Sequence, residues 1–263
     1  MILIKIGGGN KINIPGIVEG ISNLSEQCII VHGANKLRDE LAEKLKIEKK
    51  IITSVSGYSS VLSSENLMDV QLMAYAGLKN KRLVELCQKK GINAIGLTGI
   101  DGGLIKGKKN KGIRVRENGK LKIVRDNSGK AFEINSDLLQ YLLSSNYLPV
   151  ITIPILAEDG TALNTENDDV VALLGNELKA DTIVQFIEAP GLLRNIKDEN
   201  SIIQKLSKSE LEQMKDSSEG RIKRKLYALL KLFSENNPRI IIADGRADHP
   251  LKNALMNLGT LIS

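Results

Sequence analysis

Apolar and polar positions fall into two kinds of stretch along the chain. Ile2 to Ile6 and Gln27 to His32 are short apolar runs that end in glycine-rich turns, the pattern of parallel strands buried on both faces. Helical spacing follows from Leu37 to Leu45 and again from Leu67 to Cys87, with Gly77 as a break. Ile92 to Leu97 reads as another strand, and short β-type pieces come next, with Asn118-Gly119 as a hairpin turn. The second half predicts a helix near Asn135 to Ser145, a strand from Leu148 to Ile153 cut by Pro154, and a helix from Asn167 to Leu178. A strand from Thr182 to Ile187 precedes a break at Ala189-Pro190-Gly191. Helices near Ser207 to Lys215 and Gly220 to Ser234, a strand from Arg239 to Ala243 and a closing helix complete the pattern. Such alternation predicts an α/β fold, a mostly parallel open sheet sandwiched between helices on both faces.

At 263 residues the chain can bury a sizeable core without disulfides or metal staples. Its apolar runs are far short of the roughly 20 residues that a membrane-crossing helix needs, and Met1 to Lys5 lacks the features of a signal peptide, so a cytoplasmic protein is expected. Cys28 and Cys87 read as a buried, reduced pair, and two histidines give no His/Cys metal cluster. Aromatics at 3%, without Trp, argue against stacking platforms for single-stranded nucleic acid.

The positive charge is concentrated. Between Leu104 and Arg125 nine basic residues face one acid, Glu117, so this segment carries +8 while the whole chain carries +6. Such an arm steers an acidic partner by long-range attraction. The plainer alternative is a solvated hairpin.

Candidate chemistry begins with two decoys. Gly102 to Lys109 is one residue short of a P-loop and lacks its Ser/Thr, and no GxGxxG fingerprint is present. Lys5-Ile6-Gly7-Gly8-Gly9 instead sets a cation beside backbone N–H groups at a strand end, where a phosphate can approach closely. His32-Gly33-Ala34-Asn35 ends the next strand at the same sheet edge, where open α/β sheets bind ligands. Asn164 to Asp169 leads into a helix that Asn167 or Asp168 is suited to cap, and Gly220 to Lys225 opens another helix with a basic face.

Taken in order, these motifs resemble the amino-acid kinase family, acetylglutamate kinase branch, over nearly the whole chain. KIGG, VHGAN, NKRLVELCQKKGINAIGLTGIDG, NYLPVITIP, NTENDD, EAPGLL, EGRIKRK and ADGRADHPL carry the resemblance. Within the branch the chain looks most like the kinases of aminoadipate or glutamate held on the small acidic carrier protein LysW. GRIKRK, NKRLVEL and the basic insertion point there. The resemblance implies one amino-acid kinase domain, residues 1–263, with an acceptor lobe over about 1–157 and a nucleotide lobe over about 158–263.

It further implies transfer of the γ-phosphoryl group of ATP, with Mg²⁺ held mainly by the phosphates, onto a side-chain carboxylate to give an acyl phosphate. Lys5 and Lys225 fall on the two catalytic lysines and Asp168 on the aspartate that positions both. Gly7 and Gly8 fall on the phosphate donors, and Glu188 and Gly191 on the nucleotide segment. Gly33, Ala34, Asn35 and Asn164 fall on the acceptor-binding positions. Val61 stands in the acceptor loop where relatives place an arginine, which removes a bidentate carboxylate clamp. Ala34 and Asn35 replace glycines, and Glu188 replaces a shorter Asp or Asn.

Partners implied are ATP and an acidic LysW-like carrier, with a homodimer by analogy and neither nucleic acid nor membrane. Two other readings are an acetylglutamate kinase acting on free N-acetylglutamate and a non-catalytic sensor that kept the fold. The first would make the arm incidental; the retained Lys5, Asp168 and Lys225 weigh against the second.

Overall fold

β1 (Ile2–Ile6) is buried at all five positions, because the sheet it centres is covered on both sides. Leu3 packs on one face with Ile29, Ile183 and Ile240 against Val170, Leu174 and Leu226. Ile2, Ile4 and Ile6 pack on the other against Ile17, Val18, Leu83 and Leu251. This period-two division explains why the strands read as continuous apolar runs. The computed structural model describes the chain except residues 56, 58, 118, 119, 219 and 234–236, and describes the backbone only of residues 117, 220–222 and 224.

From β1 the chain runs through α1 (Ile14–Ser22), β2 (Cys28–His32) and α2 (Asn35–Lys44) to a small hairpin, β3 (Ile51–Thr53) and β4 (Ser59–Val61). Then come α3 (Glu65–Gln71), a π-helical segment (Leu72–Lys79), α4 (Asn80–Lys89) and β5 (Ala94–Gly99). The basic segment supplies β6 (Ile105–Lys109), β7 (Ile113–Glu117) and β8 (Lys120–Val124), followed by β9 (Gly129–Ile134) and α5 (Ser136–Ser144). β10 (Leu148–Ala157), β11 (Ala162–Leu163), α6 (Asn167–Glu177) and β12 (Thr182–Ile187) lead to β13 (Lys205–Leu206), α7 (Lys208–Asp216) and α8 (Gly220–Lys231). β14 (Arg239–Asp244), α9 (Pro250–Leu255) and β15 (Thr260–Ile262) end the chain.

The main sheet has the order β13-β15-β14-β12-β1-β2-β10-β6-β9, with β5 and β11 also paired to β10. β14, β12, β1, β2, β10 and β5 are parallel; β15, β9 and β11 are antiparallel to their neighbours β14, β6 and β10. β1 lies between β2 from the first half and β12 from the second, so the carboxyl ends of these three strands flank the crevice where such sheets bind ligands. Asn13, Ser64 and Asn135 cap α1, α3 and α5 with side-chain oxygens, each contact worth about 1 kcal/mol.

Four expectations are corrected. Pro154 does not end its strand: β10 continues to Ala157, because it exchanges its neighbours β2 and β5 for β6 and β11 around Pro154, where a missing N–H breaks no ladder. Gly77 does not break its helix; the chain widens there into the π-helical segment and continues as α4. The closing helix is followed by β15, too short to show a pattern. Neither Asn167 nor Asp168 caps α6: Glu166 holds the cap position without a side-chain bond, which leaves Asp168 in the first turn. Cys28 and Cys87 are buried free thiols. Among the described residues no helix is long and apolar enough to cross a membrane.

Candidate functional site

Lys5 is the fourth residue of β1 and only 8% exposed, and its Nζ donates to Asp168 Oδ1. Asp168 stands in the first turn of α6, where the helix dipole favours an anion. Burial alone would raise the Asp168 carboxyl. The Lys5 ammonium, the Lys225 ammonium and the Lys5 hydrogen bond together hold it below the usual carboxylate range. Lys225 comes from α8, next to the core residue Leu226. Burial, reinforced by the like charge of Lys5 and opposed by Asp168, pushes Lys225 down to about 8. Two ammonium groups around one carboxylate leave a net positive, largely dehydrated cluster, the electrostatic form of an anion site.

Two turns meet beside it. Gly7 N–H donates to Phe186 O at 3.0 Å and Gly33 N–H to Ile6 O at 2.9 Å, so β12, β1 and β2 are tied at their ends. A Cβ on Gly8 would lie 2.7 Å from Asn35 N and 3.0 Å from Ala34 N, which is why only glycine fits there. A Cβ on Gly33 would meet Gly8 N at 3.0 Å and Asn167 Nδ2 at 3.4 Å, so the start of α6 reaches the same point. Glu188 Oε1 accepts from Lys11 N–H at 2.6 Å, and its carboxylate fills the space a side chain on Gly9 would need. The added length of Glu188 is thus spent on bracing the glycine turn. Gly191 lies farther along, packed on Thr260, whose Oγ1 accepts from Leu192 N–H.

The two glycine replacements in the second turn have local explanations. Ala34 is 1% exposed and its methyl joins the core. Asn35 turns its Oδ1 toward the Tyr75 hydroxyl, which donates to it from the π-helical segment. His32, before this turn, is fully buried and pushed down to about 3 by burial, hence neutral; Asn80 Nδ2 lies 3.1 Å from its Nε2 and Thr152 Oγ1 donates to its carbonyl.

Asn164 sits in a polar network that the sequence does not announce. Its Oδ1 accepts from Gln71 Nε2 at 2.9 Å, and its Nδ2 donates to Ser63 Oγ at 2.9 Å. Ser63 N–H donates to Asp126 Oδ2 at 3.0 Å, and Asn164 N–H donates to Asn127 O at 2.7 Å. Asn164 is therefore joined both to the loop of residues 57–63, the expected acceptor loop, and to the base of the basic segment. These contacts come from four separate stretches, so no spacing rule reveals them. Val61, by contrast, pairs with Ile51 and packs on the cluster of Ala42, Leu67 and Val70. Of the acceptor loop, Tyr58 lies outside the described residues, as do the side chains of Arg221, Ile222 and Arg224 in the lysine motif and the Asn118-Gly119 turn.

β7 and β8 pair as an antiparallel hairpin. Arg114, Arg116, Lys120, Lys122 and Arg125 are exposed, interleaved with exposed Leu121 and Ile123. Val55 N–H donates to Arg114 O at 2.8 Å, so the hairpin rests against the β3–β4 unit that carries the acceptor loop. Part of the segment's charge is offset from outside it: Lys106 pairs with Glu133 at 2.6 Å and Lys109 with Asp159 at 2.7 Å.

Comparison with known proteins fits this geometry. The profile described as the amino acid kinase family matches residues 1–244. The chain belongs to the amino acid kinase family. It is 35% identical over 268 residues to the [LysW]-aminoadipate kinase of Thermus thermophilus, covering 100% of both chains. It is 30% identical over 267 residues to the [LysW]-aminoadipate/[LysW]-glutamate kinase of Metallosphaera sedula, again with both fully covered. The acetylglutamate kinase of Methanopyrus kandleri is 29% identical over 216 residues, 82% of each chain. Among solved structures, N-acetylglutamate synthase of Neisseria gonorrhoeae superposes with a TM-score of 0.78 at 18% identity, covering 100% of this chain and 59% of that one, and shows the shared fold. As a member of this family the protein is a kinase, and ATP is the phosphoryl donor that the family implies.

Proposed function

We propose that this kinase transfers the γ-phosphoryl group of MgATP to the side-chain carboxylate of 2-aminoadipate or glutamate carried on a small acidic, LysW-like protein, in lysine or arginine biosynthesis. The observation that carries the reading is the Lys5–Asp168–Lys225 cluster at the point where the glycine turn, the Gly33–Asn35 turn and the start of α6 converge. The residues present fit a nucleoside triphosphate: Gly8 has no room for a side chain, two lysines supply positive charge, and the Gln185 Oε1 and Thr165 Oγ1 atoms are buried without partners among the described residues. ATP supplies an activated phosphoryl group, and Mg²⁺, held mainly by its phosphates, would neutralise part of their charge.

The chain's own residues then divide the work. Lys5 and Lys225 stabilise negative charge that spreads over the phosphoryl oxygens during transfer, the main form of catalysis for this chemistry. Asp168 fixes Lys5 and offsets the repulsion between the two ammonium groups. The Gly7 N–H is held by Phe186 O and fixes the turn, which leaves the Gly8 N–H to meet the transferred group. Glu188 braces their turn, and Gly191 belongs to the nucleotide segment behind it. In the turn before α2 the Gly33 N–H is held by Ile6 O and anchors the loop, Ala34 and Asn35 present N–H groups to the acceptor, and Asn164 adds a side-chain amide. No general base is needed, since a carboxylate is already a nucleophile. Val61 provides no donor, so the acceptor depends more on these amides and on its carrier.

The carrier accounts for the basic hairpin. It lies against the acceptor-loop unit, and Asp126 at its base is bonded to Ser63, the partner of Asn164. The full-length match to kinases named for LysW-bound substrates supports the same choice. The Methanopyrus relative favours a second reading, in which free N-acetylglutamate is the acceptor. Trapping the acyl phosphate with hydroxylamine separates them: carrier-bound aminoadipate or glutamate gives ATP-dependent hydroxamate under the first, free N-acetylglutamate under the second.

A further inference from the structure

β12 reads Thr182-Ile183-Val184-Gln185-Phe186-Ile187, and its one polar interior residue has no evident structural use. Gln185 is 2% exposed, and its Oε1 has no hydrogen-bond partner among the described residues. Among the described residues its side chain makes no hydrogen bond. A buried amide left in this state is costly, and each such case calls for a missing partner.

The sheet shows where that partner stands. Gln185 is in register with Lys5 on β1 and with Ile242 on β14. Parallel strands run about 4.8 Å apart, and register partners share a face. Leu3, Ile183, Ile240 and Ile242 pack on the same face, which α6 and α8 cover through Val170, Leu174, Leu226 and Leu229. Gln185 thus projects beside Lys5, under the two helices that bring Asp168 and Lys225. Thr165 Oγ1 and Asn167 Oδ1, at the entry to α6, are also buried without partners among the described residues. Unmet hydrogen-bonding capacity is gathered around the lysine cluster.

We propose that Gln185 is a further binding residue of the nucleotide site. Its Nε2–H donates to an oxygen of the bound phosphate chain, and its Oε1 accepts from the ammonium of Lys5 or Lys225. Phosphate oxygens only accept and ammonium groups only donate, so a carboxamide between them satisfies both at once. Being neutral, it adds no second anion beside Asp168 to repel the phosphates. The proposal rests on the phosphoryl-transfer reading of the site.

Gln185→Leu tests it, since leucine removes the polar atoms while remaining apolar and of similar size. If the amide serves the nucleotide, the Kd for MgATP measured by calorimetry weakens about tenfold or more. The acceptor KM stays within about twofold and Tm is unchanged or higher, because an unmet buried amide has been removed. Gln185→Met, which is longer and unbranched, repeats the test if leucine lowers Tm. Gln185→Glu sets a charge against the phosphates and weakens MgATP further than leucine does. MgATP binding at wild-type strength by Gln185→Leu, or by Gln185→Met where leucine lowers Tm, overturns the proposal. Failure of the wild-type protein to bind MgATP would instead overturn the kinase reading on which it stands.

Discussion

At the scale of single residues the site depends on how charge is held in a buried place. Lys5 and Lys225 on their own would repel each other, and the Asp168 carboxylate offsets that repulsion. Lys5→Ala and Lys225→Ala are each expected to lower kcat by about 10²-fold or more, the usual cost of losing one stabilising donor to a transition-state anion, while circular dichroism remains native. Wild-type turnover by either variant refutes the role assigned to it. Lys225, pushed down to about 8, gives a pH signature. Its folded value lies below that of the unfolded chain, so between pH 8 and the ordinary lysine range the unfolded state binds more protons and stability rises with pH. A bound nucleotide anion reverses the shift. MgATP binding just above pH 8 should therefore take up a proton, and affinity should fall as pH rises past 8. Calorimetry in two buffers of different ionisation heat measures this uptake, and Lys225→Ala should abolish it. Lys5, Gly7 and Gly8 are legible in the sequence because they fall close together at a strand end. Gln71, Ser63, Asp126 and Gln185 are not, since each gains meaning only from neighbours on other elements.

Among the elements, those with a strong period are the ones the pattern of residues predicts. Thr182–Ile187 matches its expected bounds, and the α2, α5 and α6 helices match within two residues, because an apolar run or an apolar stripe sets them directly. Pro154 misleads because a proline's effect on a strand depends on which neighbours need its N–H, and that is a property of the sheet. Gly77 misleads because the wider π-helical turn keeps the helix continuous while presenting Tyr75 to Asn35. The hairpin of β7 and β8 is legible as a block of charge, but its contact with the β3–β4 unit is not. That contact gives a prediction. Cations docked on an acidic carrier are screened by salt, so raising ionic strength from about 0.05 to 0.5 M should raise the KM for carrier-bound acceptor several-fold while leaving the KM for MgATP nearly unchanged. Exchanging Arg114, Arg116 and Lys120 for Glu should do the same at low salt. An acceptor KM indifferent to both would remove the hairpin from the docking surface.

For the whole molecule, β1 stands between β2 from the first half of the chain and β12 from the second. In the proposed reading β2 and the hairpin region serve the acceptor and its carrier, β12 and α8 serve the nucleotide, and the glycine turn after β1 lies between β2 and β12. A mostly parallel sheet makes this arrangement natural, because all three carboxyl ends open on one edge. The order of motifs along the chain is enough to signal that edge and the family. The connection of the charged hairpin through Asp126 and Ser63 to Asn164 emerges only once distant segments are brought together. The most direct test of the central claim is ATP-dependent hydroxamate formation with carrier-bound aminoadipate, carrier-bound glutamate and free N-acetylglutamate compared side by side. Turnover with a carrier-bound acceptor and little or none with the free acid is the predicted result. Efficient turnover of free N-acetylglutamate with no response to the carriers would contradict it and leave the basic hairpin as solvated surface.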